Sequence, residues 1–216
     1  MKRVGAAILL LALAACAHRP AFQAVDANRA APIAAACRSC FLEGRWQLVH
    51  TIQAHLPGGR QTTLTGAVVL STADRSVHCV LMTLEGVVLF DALDQDGQLT
   101  VSRALGPFAN GHFAEGLVAD IRFMFLAPDG GMTAAGHFGD GDAGCRYPAA
   151  GDRTLDLVIR PGGWQLRQYD PSGRLRRTLT ADGAEAGAPA PHMTLDAAGS
   201  PGYRLSMTLV DAVPLP

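Results

Sequence analysis

The sequence predicts a mainly β, α+β fold: an antiparallel sheet or barrel carrying one central helix. Three observations support this. Apolar and polar residues alternate with a period of two through most of the chain after Gly44. Turns rich in Gly and Pro, such as "PGG" at 57–59, "DQDG" at 94–97 and "PSG" at 171–173, punctuate those runs. Between 113 and 127 the apolar spacing switches from two to four.

The elements follow in chain order. "APIAAACRSCFL" (31–42) suits a short helix starting near Pro32, because proline is tolerated in a first turn. "RWQLVHTIQA" places Trp46, Leu48 and Ile52 on one face of a half-buried strand. With "PGG" and "TTLTGAVVLS" it reads as a hairpin. "SVHCVLMTL" (76–84) and "VVLFDA" (87–92) are apolar on both faces, which calls for cover on both sides. "QLTVSRAL" sets Leu99, Val101 and Leu105 opposite Thr100, Ser102 and Arg103. In "FAEGLVADIRFMFLA" the residues Phe113, Leu117, Ile121 and Phe125 recur every four positions, and Pro128 ends the helix. Gly116 weakens it by about 1 kcal/mol relative to alanine. The Gly- and Asp-rich stretch 128–152 reads as a long loop. Strands resume with "TLDLVIR", "GWQLRQYD" and "RLRRTLT". After an Ala/Gly/Pro loop (181–191), "HMTLDA" and "YRLSMTLVDA" close the chain, for nine or ten strands in hairpin order.

At 216 residues the chain fits one domain. A net charge of −1 provides no basic field for nucleic acid. Lys2 is the only lysine, so the body of the chain has no Schiff-base or general-base lysine.

The N-terminus has the layout of an export signal. Met1, Lys2 and Arg3 precede an apolar run from Val4 to Ala15, too short to span a bilayer. "LAAC" (13–16) resembles a bacterial lipobox, which implies cleavage before Cys16 and acylation of that cysteine with palmitate or a similar chain. Ala17 follows where aspartate would resemble the inner-membrane retention signal of Gram-negative lipoproteins. The resemblance therefore implies a periplasm-facing lipoprotein of the outer membrane. The expected organisation is a signal peptide (1–15), a flexible tether (16–30) and a single domain (31–216). The mature body carries 16 cations against 19 acids, a net of −3.

The motifs that could carry chemistry fail on context. "GDGDAG" (139–144) matches G-x-G-x-x-G formally, but no strand-to-helix turn surrounds it, and two aspartates would face a pyrophosphate. As a calcium loop it has Cys145 where glycine is needed and Gly151 where glutamate is needed. The seven histidines form no H-x-x-x-H pair, although His50 and His78 could meet across a sheet. There is no G-x-S-x-G elbow. The residues thus point to no enzyme, no cofactor and no metal site. With Cys16 used as the anchor, Cys37, Cys40, Cys79 and Cys145 remain, an even number that suits disulfides in an oxidising envelope. Cys79–Cys145 is the preferred pair, tying the long loop to the sheet, with Cys37–Cys40 or free thiols as alternatives.

The stretch from "GRWQLVH" through "LMTLEGVVLFDALDQDGQLTV" to "FAEGLVADIRFMF" resembles the LolA/LolB superfamily of lipoprotein carriers, in a LolB-like branch of outer-membrane lipoproteins. That resemblance implies a curved antiparallel sheet forming an unclosed half-barrel. A short N-terminal helix precedes it, and a central helix lies over its concave face. It also implies an apolar cavity for a lipid or an acylated protein, lined by Trp46, Leu48, Leu64, Leu81, Leu89, Leu99, Leu117 and Ile121. Phe108 in "GPFANGHF" is the candidate for the protruding apolar tip that the family's receptor carries. The alternative is a structural or interaction lipoprotein of an envelope assembly with a filled core. The oligomeric state is open.

Overall fold

The structure, a computed structural model, describes residues 19–199 and 202–216. The signal stretch 1–15 and the anchor candidate Cys16 lie outside the described residues.

The chain forms one antiparallel sheet. Its first strand, β1 (Phe22–Ala24), is followed by α1 (Ala27–Arg38). A five-strand meander comes next: β2 (Arg45–Leu56), β3 (Arg60–Ser71), β4 (Val77–Met82), β5 (Val88–Gln95) and β6 (Gln98–Ala104). After α2 (Gly111–Phe125), a second meander runs through β7 (Ala134–Phe138), β8 (Ala143–Ala149), β9 (Arg153–Arg160), β10 (Gly163–Tyr169), β11 (Leu175–Asp182), β12 (His192–Ala197) and β13 (Tyr203–Leu215). The spatial order is β1-β7-β8-β9-β10-β11-β12-β13-β2-β3-β4-β5-β6. The two meanders join where β13 pairs with β2 over almost the full length of both strands. The sheet curls but does not close, as expected for a half-barrel.

Strand order dictates where α2 must go. β6 is one edge of the sheet, and β7 is flanked at the other edge only by β1. The connection between them therefore has to cross the concave face, and it does so as α2. Its buried face consists of Ala114, Val118, Ile121, Met124 and Phe125, whereas Phe113 is exposed. A spacing of four drifts around a helix of 3.6 residues per turn, which is why Phe113 falls off the face that Phe125 occupies.

Several expectations from the sequence need correction. The tether reading of 16–30 fails from Phe22 onward. Phe22 pairs with Phe138 in register, and Asp26 caps α1 by accepting from the Arg29 backbone N–H at 3.1 Å. Pro32 consequently sits inside the helix rather than at its start.

The stretch 128–152 is not a loop. "GDGD" is the turn of the β7–β8 hairpin. These strands are rich in Ala and Gly because neighbours pass too close for side chains. A Cβ on Gly136 would stand 2.0 Å from the Gln23 carbonyl oxygen, and one on Gly144 2.0 Å from that of Leu157. β4 and β5 are covered on one face only: Val77, Cys79, Leu81, Phe90 and Ala92 are buried, while His78 and Leu93 face outward. On β6 a register shift opposite Asp91 and Ala92 and the edge position leave Val101 exposed, and Leu105 just beyond the strand is exposed too. Phe108 is no protruding tip. It is buried, with its ring centroid 5.8 Å from Phe90 and 5.2 Å from Phe113.

The disulfide also differs from the preferred pair: Cys145 bonds Cys37, and Cys40 and Cys79 are free thiols. Cys79 lies on β4, with seven strands between it and β8 in the sheet, whereas α1 packs across β7 to β9 and brings Cys37 over Cys145.

Candidate functional site: the apolar interior under α2

The eight residues expected to line a cavity gather in one apolar cluster. Leu48 (β2), Leu64 (β3), Leu81 (β4) and Ile121 (α2) are buried within it. Trp46, Leu89, Leu99 and Leu117 are half-buried and pack against it. The period-two pattern of the strands and the helical stripe of α2 produce this, since each presents its apolar side to the other. In this conformation the cluster is packed. A cavity of about 20 Å³, room for roughly one water, lies at its margin among Cys40, Phe41, His50, Phe125, Trp164 and Ala190. None of the eight residues borders it.

Polar groups that the sequence did not flag hold α2 against the sheet in two places. At mid-helix, Asp120 is 97% buried. The Tyr203 hydroxyl of β13 donates to its Oδ2, and the Arg177 guanidinium of β11 lies 3.1 Å from Oδ1, an ion pair without hydrogen-bond alignment. Burial pushes the Asp120 carboxyl above the usual carboxylate range, and Arg177 and the Tyr203 hydrogen bond pull it back.

At the C-terminal end of α2, Arg122 donates to Asp94 at 2.6 Å and to the Arg75 carbonyl at 2.9 Å. Arg75 in turn reaches the Ala127 carbonyl at 3.0 Å and Asp129 at 2.6 Å. Arg75 adopts a positive φ of 56°, a strained choice for a side chain of its size. Sequence alone could not find these clamps, because each joins residues from 28 to 83 positions apart.

His50 is another buried polar group. Its ring stacks obliquely 5.5 Å from Phe125, and its Nε2 has no hydrogen-bond partner. It does not meet His78, which bonds Asp91 at 2.9 Å on the outer face. Desolvation pushes the His50 pKa down to about 4. The unfolded chain takes up this proton near pH 6.5 and the folded chain only near 4, so the stability His50 contributes is lost as pH falls across that window. Urea unfolding should show the native chain losing roughly 2–3 kcal/mol more between pH 7 and pH 4.5 than His50→Leu does. Parallel losses would show that His50 is not the acid-sensitive group.

The free thiols offer no reactive centre. Burial raises the Cys40 pKa to about 11 and that of Cys79 to about 12, so both stay protonated at neutral pH. Among the described residues, no three His, Cys, Asp or Glu side chains gather to hold a metal ion.

An unclosed antiparallel sheet curled around one crossing helix is the architecture that the resemblance to the LolA superfamily implies, and one solved structure agrees. A LolA-superfamily protein from Nitrosomonas europaea superposes with a TM-score of 0.52 at 15% identity, over 89% of this chain and 96% of its own. A domain assigned to outer-membrane lipoprotein sorting in Vibrio parahaemolyticus matches with a TM-score of 0.49 at 13% identity, over 87% and 93% of the two chains. At these identities the first likeness establishes the fold: this chain has the LolA-superfamily fold. No family model matches the chain, and no curated protein matches its sequence.

Proposed function

We propose that this chain is an envelope lipoprotein, anchored through an acylated Cys16 in the outer membrane and facing the periplasm, that carries a lipid or the acyl group of a protein between α2 and the concave face of the sheet. The observation that carries this reading is the build of the helix–sheet interface. It is mostly apolar, yet α2 is fixed by polar clamps at Asp120 and Arg122. Buried ion pairs add little net stability but specify one arrangement, which suits a helix that is to be released.

The energies are compatible with release. Burying an acyl chain gains about 0.8 kcal/mol per CH₂, on the order of 10 kcal/mol gross for a palmitoyl chain. Hydrogen bonds to charged groups contribute about 1.5–3 kcal/mol each. An entering chain therefore offsets the clamps, and by lining itself with Trp46, Leu48, Leu64, Leu81, Leu89, Leu99, Leu117 and Ile121 it replaces the apolar contacts that α2 gives up.

The test is displacement of a fluorescent fatty acid by palmitate, in the native chain and in Arg75→Gln. Loss of the Arg75 contacts should weaken the closed state by about 1 kcal/mol and tighten binding about fivefold. The packed interior favours a second reading, a structural or interaction lipoprotein with a filled core. No saturable binding in either protein would support that reading instead.

A further inference from the structure

We propose that the end of the sheet formed by the β8–β9, β10–β11 and β12–β13 turns is a docking surface for a bilayer bearing anionic phosphate headgroups, and that it sets how the domain stands on its membrane. Antiparallel register places these turns together. Ala149 pairs with Arg153, Tyr169 with both Thr154 and Leu175, and Ala197 with both Arg177 and Tyr203. The β2–β3 turn lies at the same end, since Arg204 pairs with His55 and Leu56 with Arg60.

The charge of this end is lopsided. Arg19, Arg60, Arg153, Arg174 and Arg176 are exposed there. They face Glu85, Asp152 and Asp170, and Asp170 is occupied by its own turn, accepting from the Ser172 hydroxyl at 2.6 Å and the Arg174 backbone N–H at 3.0 Å. Arg204 and Asp196 neutralise each other at 2.5 Å. A polar cleft of about 530 Å³ opens at this end among Arg153, Gln168, Arg176, Arg177 and Tyr203. The opposite end carries Asp74, Asp96, Asp140, Asp142, Asp182 and Glu185 against Arg45 and Arg160, and Arg160 lies 3.9 Å from Asp142, so acids outnumber cations there. A chain that is nearly neutral overall is thus basic at one pole and acidic at the other.

The chain leading to the anchor selects the basic pole. Arg19 is fixed there: its backbone N–H donates to the Gly173 carbonyl at 2.9 Å, and its guanidinium to the Thr154 hydroxyl at 2.9 Å. Cys16 is three residues earlier, so at most about 10 Å can separate the two Cα atoms. Given the acylated Cys16 proposed above, the arginines around the β10–β11 turn are held near the headgroups, within about a Debye length or two. Arginine is the suitable cation, because its planar fork matches phosphate oxygens.

The experiment reconstitutes the acylated protein in vesicles of phosphatidylcholine alone, or with one-third phosphatidylglycerol, and follows amide hydrogen exchange. Peptides covering 150–154 and 170–177 should exchange several-fold more slowly on the anionic vesicles. Peptides covering 94–98 and 139–143 should exchange alike on both. Arg153→Gln with Arg176→Gln, which leaves the Arg177–Asp120 pair intact, should abolish most of the difference. Equal exchange at 150–154 and 170–177 on the two vesicle types overturns the docking surface while leaving the anchor standing. Absence of the protein from both vesicle types overturns the anchor and this orientation together.

Discussion

Replacing Cys37 and Cys145 together by alanine should lower the unfolding free energy by about 4–5 kcal/mol, the largest effect expected of any change here. The bond closes a loop of 108 residues, which removes much of the freedom of the unfolded chain. It also acts on a helix with a weak hold of its own. α1 buries only Cys37 fully, carries a proline in its interior and presents mostly alanine to β7 and β8. Small side chains bury little apolar area, so the covalent link supplies what packing does not. In thermal unfolding the loss corresponds to a fall in Tm of about 10 °C for a domain of this size. A dithiothreitol-treated native chain should behave like the variant, and Cys79→Ala should respond to reductant as the native chain does. A non-reducing peptide map should return the 37–145 linkage. Recovery of a 79–145 linkage, or a variant as stable as the native chain, would refute this.

The second large effect is expected at Arg146. Asp156 on β9 has a fully buried side chain, and among the described residues its only cationic partner within 4 Å is Arg146 directly across on β8. Two parallel hydrogen bonds join them, Nε to Oδ1 at 2.7 Å and an Nη to Oδ2 at 2.8 Å. Arg146→Met leaves a buried carboxylate without compensation, which costs about 3–5 kcal/mol. The guanidinium also lies 4.7 Å above the Phe22 ring, so the change loosens β1, the strand next to the tether. The double variant Arg146→Met with Asp156→Leu removes both charges and should recover most of the loss. Urea unfolding of the native chain and both variants decides it. Equal loss in the single and double variants would mean that packing, not the charge pair, is what Arg146 supplies.

The legible parts of the fold were those carried by local pattern. The β2–β3 hairpin showed in its alternation and its "PGG" turn, and α2 in its change of period. The illegible parts depend on approach between distant segments. β7 and β8 hide behind glycines that exist because neighbouring backbones pass close, so their lack of apolar alternation looked like a loop. β1 has three residues, and only its pairing with β7 defines it. The LolA/LolB resemblance implied one interior for Leu48, Leu64, Leu81 and Ile121, but nothing in it marked the clamps at Asp120 and Arg122. An aspartate on the buried face of a helix gives no sign in sequence that Tyr203 and Arg177 await it from two other strands. The disulfide was missed for the same reason: cysteine count says how many bridges can form, and topology says which.

Acyl carriage under α2 is most directly tested by photo-crosslinking. The acylated native protein is incubated with a palmitate analogue bearing a diazirine near its methyl end, irradiated and mapped by mass spectrometry. Label on Leu117 or Ile121 of α2, and on Leu48, Leu64 or Leu81 of the facing strands, competed away by palmitate, is the expected result. Label confined to surface peptides, or indifferent to added palmitate, would contradict it.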